Sequence, residues 1–170
     1  MIETERLLIK PLSYSKLLTY LEANNKLERE WSLRFTGRTL SPDVKKMVQE
    51  LTLPKIVNAR REDHVFYTFW IVIEKVSNSI VSELGFKGPP NETGEIEIGY
   101  GTMPSQQGKG FMTEAVAGML EWAKSREDVK FVLASIDKNN KASLRIVEKN
   151  GFVYYEEKEP MLWWKKQVDA

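Results

Sequence analysis

The sequence predicts a mixed α/β fold in a single domain, and three observations support this prediction. Residues 94–101, GEIEIGYG, alternate between apolar and polar side chains, as a strand with two different faces does. From Met112 to Ala123 the apolar residues instead recur at helical spacing. The 170 residues fit one domain, spanning 1–170, which buries roughly two thirds of its unfolded surface.

The N-terminal quarter is predicted to hold a strand followed by two helices. Residues 5–12 form a short apolar run that ends near Pro11, which suits a first strand. Ser13 or Ser15 then caps a helix that runs to about Ala23.

The second helix is predicted to begin at Ser41–Pro42 and to end near Leu53. Proline is favoured in the first turn of a helix, where Pro42 would lie. Pro54 is expected to stop this helix because it cannot donate the next backbone hydrogen bond.

The rest of the chain alternates between strands and helices. Residues 65–74, VFYTFWIVIE, are aromatic and β-branched, and they predict a hairpin with residues 80–88. The remaining elements, predicted in order, are a loop at 88–94, a strand at 94–101, a helix at 112–125, a strand at 131–137, a helix at 141–150 and strands at 152–157 and 161–167.

Composition excludes several classes of function. The 25 Lys and Arg residues balance 24 Asp and Glu residues, and a net charge of +1 argues against nucleic acid as the main partner. With no cysteine and one histidine, the chain holds no cysteine nucleophile and no metal site built from Cys or several His. No apolar run approaches a membrane span, and the opening MIETERLLIKPLS lacks the apolar core of a secretory signal, so we expect a cytoplasmic protein.

A glycine-containing turn links the strand at 94–101 to the helix at 112–125. In this turn, MPSQQGKGF, Gly108 and Gly110 flank Lys109. Glycines at a strand-to-helix turn let successive backbone N–H groups approach an anion, and the positive end of the helix dipole adds to the attraction. The turn therefore indicates a phosphorylated ligand, although a two-glycine turn without any ligand is an equally good interpretation of these residues alone.

Two well-known phosphate loops do not fit the turn. A Walker A loop needs glycine where Met103 stands and Ser or Thr where Gly110 stands. A Rossmann fingerprint that starts at Gly108 needs glycine or alanine at Thr113.

The turn does resemble the acetyl-CoA loop of the GNAT superfamily. That loop has Gln or Arg, two residues, Gly, one residue, then Gly or Ala; here Gln107 and Gly110 match and Met112 departs. Three longer segments resemble the branch of ribosomal-protein N-terminal acetyltransferases: ETERLLIKPL, EIGYGTMPSQQGKGFMTEAV and ASIDKNNKASLRIVEKNGF.

The resemblance implies a fold, a cosubstrate and a binding site. The implied GNAT fold is a mixed, mostly antiparallel central sheet of about six to seven strands, flanked by about four helices and splayed at the acetyl-CoA site. The cosubstrate would be acetyl-CoA, and the acceptor an amine. By resemblance the cofactor-binding residues are Met103, Gln107, Gly108, Lys109, Gly110, Phe111, Met112, Thr113, Asn140 and Ser143. Asn140 and Ser143 also suit a structural role, since Asn is a favoured helix cap.

Two carboxylates and one hydroxyl are the candidate catalytic groups. Glu97 and Glu95 share one face of the strand before the loop, so either could take a proton from the amine directly or through water. Two solvent-facing strand positions are the competing interpretation. Many relatives protonate the departing thiolate with a tyrosine at the position of Val147, so Ser143 is the candidate donor here.

The functional hypothesis is an N-acetyltransferase that moves an acetyl group directly to a small amine, an amino acid or a protein N-terminus, without a covalent enzyme intermediate. The alternatives are a non-catalytic module that senses acetyl-CoA or CoA and a protein-interaction domain that has lost the cofactor. A homodimer is left open, and neither nucleic acid nor a membrane is expected as a partner.

Overall fold

The computed structural model describes residues 1–22, 24–102 and 104–169. Within these residues eight strands form one sheet, with the spatial order β1-β2-β3-β4-β5-β6-β8-β7. Neighbouring strands run antiparallel except β5 and β6, which are parallel. The strands are β1 (Ile2–Glu3), β2 (Leu7–Pro11), β3 (Phe69–Glu74), β4 (Ser79–Phe86), β5 (Glu95–Thr102), β6 (Phe131–Asp137), β7 (Val153–Lys158) and β8 (Met161–Gln167).

Helices cover both faces of this sheet. They are α1 (Tyr14–Leu21), α2 (Lys26–Glu30), α3 (Pro42–Met47), α4 (Leu53–Asn58), α5 (His64–Tyr67), α6 (Phe111–Lys124) and α7 (Lys141–Lys149). Among the described helices, none is long and apolar enough to cross a membrane.

Two apolar cores lie on opposite faces of the sheet. Alternate residues of β3 show the division, because Val72 joins the core under α6 and α7 whereas Ile71 and Ile73 join the core under α1 and α4. Side chains of a strand point alternately to its two faces, so β3 is buried on both sides. The sheet is therefore the middle layer of three.

The sheet opens between its two parallel strands. β5 pairs with β6 only from Glu95 to Glu97, opposite residues Phe131 to Leu133. Beyond Glu97, β5 continues to Thr102 along β4, and β6 continues to Asp137 along β8. The two strands thus diverge, and the predicted splay is present.

The predicted α/β class and the mostly antiparallel sheet are confirmed, with eight strands in the described chain rather than the expected six to seven. The prediction that Pro54 stops a helix is wrong. A π-helical turn, Val48–Thr52, joins α3 to α4 without a break, so the helical segment continues through Pro54 to Asn58. The strand predicted from Val65 begins only at Phe69, because His64–Tyr67 forms the short helix α5.

Candidate active site

The glycine turn and the first turn of α6, residues 108–113, form an open concave segment of backbone, called the glycine cradle below. Gly108 and Gly110 have φ values of 77° and 78°, a left-handed backbone that only glycine adopts without strain. Gly110 is the N-cap of α6 and has no side chain to accept the first backbone N–H groups, which have no partner inside a helix. A Cβ atom at Gly108 would meet nothing within 4 Å. The residues therefore fit an anionic group such as a diphosphate.

Arg6 holds this cradle from the N-terminal side. Its NH1 group donates to the carbonyl oxygen of Lys109 at 3.0 Å, and its Nε group donates to Glu114 at 2.6 Å. Its guanidinium group also lies 4.8 Å from the centre of the Phe111 ring. Arg6 thus adds positive charge beside the turn and fixes the carbonyl between the two glycines.

At two of the predicted cofactor-binding positions, Phe111 and Met112, a ligand can contact only the backbone. The side chains of Phe111 and Met112 are 6% and 3% exposed and belong to the apolar core. The departure of Met112 from the signature therefore concerns a buried side chain. Gln107 lies in the turn before Gly108, whereas Met103 lies outside the described residues.

Helix α7 borders the opening of the sheet and is tied to both of its sides. The hydroxyl group of Tyr100 on β5 donates to the carbonyl oxygen of Ser143 at 3.1 Å. At the other end of α7, the side-chain amide of Asn150 donates to the carbonyl oxygen of Thr113 at 3.2 Å. Asn140 caps the helix by accepting from the Ser143 N–H at 3.2 Å. The opening therefore has α6 and α7 as fixed walls.

Sequence reasoning missed Tyr100, because alternation along β5 only places it on the same face as Ile96 and Ile98. Burial raises the pKa of Tyr100 to about 12. Its hydroxyl group therefore stays protonated and donates its one hydrogen to the Ser143 carbonyl oxygen, which ties β5 to the first turn of α7.

Glu97 lies at the point where the sheet opens. Its Oε1 atom accepts a hydrogen bond from the Ser135 hydroxyl group at 2.7 Å and forms an ion pair with Lys87. Glu95 lies two residues earlier, where β5 and β6 are paired, and its Oε1 atom is 2.7 Å from the Lys165 ammonium group. The hydrogen bond from Lys165 lowers the pKa of Glu95, followed by one from Asn91.

A cleft of about 480 Å³ lies on the sheet face opposite α6. Its floor comes from β4 and β5, its wall from the segment between α3 and α4, and its end from the residues around α5. The residues that line it are Met47, Leu51, Thr52, Lys55, Tyr67, Thr68, Phe69, Glu83, Leu84, Gly85, Phe86, Lys87, Gly99, Tyr100 and Gly101. Because Tyr100 lines the cleft and also reaches α7, the cleft adjoins the opening of the sheet.

Glu83 places a partly buried carboxylate on the floor of this cleft, and sequence reasoning missed it. Its Oε2 atom accepts a hydrogen bond from the Tyr20 hydroxyl group. Burial raises the pKa of Glu83, while the Tyr20 hydrogen bond and the positive charge of Arg38 act in the opposite direction. The available signal was an acidic residue inside the otherwise apolar strand IVSELGF.

A family model described as an acetyltransferase (GNAT) domain matches residues 6–153. The chain belongs to the GNAT acetyltransferase family. The curated relatives include the uncharacterized N-acetyltransferase YjdG of Bacillus subtilis (strain 168), which is 40% identical over 84 residues, covering 49% of this chain and 50% of that protein. A second relative, the uncharacterized N-acetyltransferase p20 of Bacillus licheniformis, is 24% identical over 69% of this chain and 61% of its own length. The matches thus span about half to three fifths of these relatives.

Solved GNAT structures share the fold. The ribosomal-protein-S5-alanine acetyltransferase from Vibrio fischeri has a TM-score of 0.68 at 17% identity, covering 98% of this chain and 95% of that one. RimL, a ribosomal L7/L12 α-N-protein acetyltransferase solved in complex with coenzyme A, has a TM-score of 0.66 at 17% identity, covering 98% and 97%. At these identities the likeness concerns the fold alone.

Proposed function

We propose that this GNAT family member transfers an acetyl group from acetyl-CoA directly to a primary amine. The observation that carries the proposal is the opening between β5 and β6, which has the glycine cradle of α6 at one wall and the first turn of α7 at the other. An acceptor cleft adjoins the same opening from the opposite face of the sheet.

The proposed cofactor site uses mostly main-chain groups. The N–H groups of residues 108–113 would hold the pyrophosphate, because the glycine cap leaves them free of side-chain competition. Asn140 and Ser143 are proposed to lie beside the pantetheine arm, and Met103 and Gln107 are proposed from the family resemblance. The edge of β5 beyond Glu97, which β6 does not pair, offers further backbone groups to that arm.

The chemistry requires a neutral amine and a protonated leaving group. Acetyl-CoA supplies a thioester whose carbon–sulfur bond breaks as the amine nitrogen forms the amide, so that CoA leaves as a thiol and one amine proton is released. An amine that is protonated at neutral pH must lose a proton before it attacks. Glu97 is proposed to accept it, directly or through water, since it lies where the sheet opens; Glu95 is the second candidate. Ser143 is proposed to donate a hydrogen bond to the departing sulfur.

Thermal unfolding with and without acetyl-CoA tests the cofactor site. Ligand at a hundred times its dissociation constant stabilises a protein by about 2.7 kcal/mol, which raises Tm by roughly 5–10 °C for a domain of this size. Gly108→Ala should reduce this shift. Gly37→Ala is the matched control, because Gly37 also has a positive φ (70°) and open space around its Cβ position but lies outside the cradle. An equal shift in both variants would contradict the assigned cradle.

Release of CoA thiol in the presence of amines tests the catalytic step. Glu97→Gln should lower kcat by about 100-fold or more, the usual contribution of a general base. The Tm shift caused by acetyl-CoA should be kept, because Glu97 is proposed to act on the amine. Ser143→Ala should also lower kcat. If acetyl-CoA stabilises the protein and no amine releases thiol above the hydrolysis background, the chain is a sensor of the cofactor and the catalytic proposal is wrong.

Three sequence-based expectations stay predictions at this point: one domain over residues 1–170, a cytoplasmic location, and an oligomeric state that includes a homodimer. Size-exclusion chromatography with light scattering measures the last of these directly.

A further inference from the structure

We infer that the acceptor is a primary amine carried on an apolar body with a single positive charge, and that Glu83 binds its ammonium group. The inference rests on the proposed acetyltransferase function and adds the class of acceptor to it. It depends on the shape and charges of the cleft that adjoins the opening of the sheet.

Glu83 is placed to receive a cation. Among the described residues that line the cleft, it is the one carboxylate. Its described hydrogen bond, from the Tyr20 hydroxyl group, involves Oε2 alone, which leaves Oε1 for a ligand. A partly buried carboxylate gains most from a cationic partner that arrives with its own hydrogen-bond donors. An ammonium group meets that requirement.

The positive charges around the cleft disfavour a second cationic centre in the acceptor. Lys55 and Lys87 line the same cleft, at its wall and on its floor. Lys87 is partly neutralised by its ion pair with Glu97, whereas Lys55 is exposed. A polyamine or an aminoglycoside would bring several ammonium groups to a surface with one carboxylate and two lysines. A monoamine leaves only the favourable contact with Glu83.

The walls of the cleft indicate what the amine is attached to. Met47 and Leu51 stand at the mouth with 40% and 53% of their surfaces exposed, and Phe69 lies deeper. Large exposed apolar side chains beside a polar anchor are typical of ligand sites. An aromatic or aliphatic group would cover them, and a volume of about 480 Å³ accommodates a molecule of small-ligand size.

The floor of the cleft is bare backbone next to Glu83. In the pairing of β4 with β5, Glu83 stands opposite Gly101, and Gly85 stands opposite Gly99. Paired residues point to the same face, so the glycines leave that face without side chains beside the carboxylate. A Cβ atom at Gly101 would meet nothing within 4 Å, so a larger residue there would occupy the space of the acceptor rather than that of the protein.

A panel of amines tests the inferred class, with kcat/KM measured by thiol release and binding measured by calorimetry in the presence of CoA. Phenethylamine is the aromatic monoamine, spermidine the polyamine, and ethanolamine a monoamine with no apolar body. The amide of the dipeptide leucyl-phenylalanine distinguishes a peptide N-terminus from a small molecule as the source of the same chemistry. We expect the kcat/KM of phenethylamine or of the dipeptide amide to exceed that of spermidine and of ethanolamine by about tenfold or more, as the buried apolar area predicts.

Two variants test the placement of the amine. Glu83→Gln should raise KM or Kd for the preferred amine by about 10- to 100-fold, the usual effect of losing a charge-assisted hydrogen bond. Gly101→Val should weaken the binding of the same amine, because the added side chain would fill space above the floor of the cleft. Glu83→Gln should keep the Tm shift caused by acetyl-CoA, which also shows that this variant folds. Glu127→Gln, an exposed carboxylate beyond the far end of α6, is the control.

The outcomes separate the two proposals. A preference for spermidine, or an unchanged amine KM and Kd in Glu83→Gln, with the acetyl-CoA shift intact, would overturn this inference alone. Absence of both the acetyl-CoA shift and amine turnover in the unsubstituted protein would overturn the proposed function and this inference with it.

Discussion

Arg6 and Glu114 are 108 residues apart in the sequence, yet the arginine Nε atom lies 2.6 Å from a carboxylate oxygen of the glutamate. The other oxygen of Glu114 accepts from the Arg6 N–H at 2.8 Å and from the Thr4 hydroxyl group at 2.6 Å. Because Glu114 directly follows the cradle of residues 108–113, these bonds tie the N-terminal strands to the candidate phosphate site.

Removing the Arg6 side chain should weaken acetyl-CoA binding more than it weakens the fold. We expect Arg6→Ala to lower Tm by only about 2–4 °C, because a partly exposed ion pair contributes about 1 kcal/mol or less. The Tm shift caused by acetyl-CoA should also shrink, since the hydrogen bond to the Lys109 carbonyl oxygen and the positive charge beside the turn are lost. Lys26→Ala is the control, as its exposed pair with Glu22 lies elsewhere. An unchanged acetyl-CoA shift in Arg6→Ala would show that Arg6 supports the fold alone.

The Glu114 cluster should also make stability depend on pH at the acidic end. Burial alone would raise the pKa of Glu114, but the hydrogen bonds from Thr4 and Arg6 outweigh it and the pKa is lowered. A carboxyl with a lowered folded pKa contributes stability above its unfolded pKa and loses it as pH falls through the folded value. Glu114→Gln should therefore flatten the loss of stability below about pH 4.5, the ordinary glutamate value. Urea unfolding at several pH values measures this, and parallel profiles for the two proteins would contradict it.

Tyr20 should set the pH at which Glu83 works. Burial raises the pKa of Glu83 above its usual range, and the Tyr20 hydrogen bond partly offsets this rise. If ionised Glu83 binds the amine, kcat/KM rises with pH through that pKa, so Tyr20→Phe should move the acidic limb to higher pH. Lys55 and Lys87, which also line the cleft, and the nearby Arg38 stay in place.

The control for this change is Tyr14→Phe, on the same helix but 41% exposed and outside this cleft. The pH profile of kcat/KM for phenethylamine is the measurement. An acidic limb that stays at the same pH in Tyr20→Phe would mean that Glu83 does not limit the reaction there.

The sequence predicted the elements with strong local patterns and missed those that depend on tertiary contacts. The helix predicted at 112–125 is α6, at Phe111–Lys124, because its apolar stripe is nearly continuous. The short helix His64–Tyr67 replaced the start of a predicted strand, since aromatic residues pack well in either structure. Helix α4 begins one residue before Pro54 because a π-helical turn precedes it, a feature that no local pattern signals.

In the candidate site, too, the residues with a local sequence signal could be predicted and those that depend on tertiary contacts could not. The glycine cradle could be predicted because Gly108 and Gly110 lie two positions apart in the sequence and allow the left-handed backbone of this turn. Glu83 could not, since its role depends on Tyr20, which lies 63 residues away. Alternation predicted correctly that Glu95 and Glu97 share a face of β5, but not that Lys165 and Lys87 would reach them.

The ion pair between Arg38 and Glu28 should be the costliest polar contact to break. The two side chains are 8% and 0% exposed, and two hydrogen bonds of 2.8 and 3.2 Å join them. Removing one partner of a buried pair leaves an uncompensated charge and costs about 3–5 kcal/mol. Arg38→Met should therefore lower the free energy of unfolding by that amount in urea denaturation.

The double variant Glu28→Gln/Arg38→Met should be more stable than Arg38→Met, because the stranded carboxylate is then neutral. The Arg38 guanidinium group also lies 4.8 Å from the centre of the Tyr20 ring, and Tyr20 donates to Glu83. Restoring stability should thus not restore amine binding, since the double variant still lacks the cation that lowers the pKa of Glu83. A double variant with unchanged Kd for phenethylamine would show that the buried pair supports the fold without affecting the cleft.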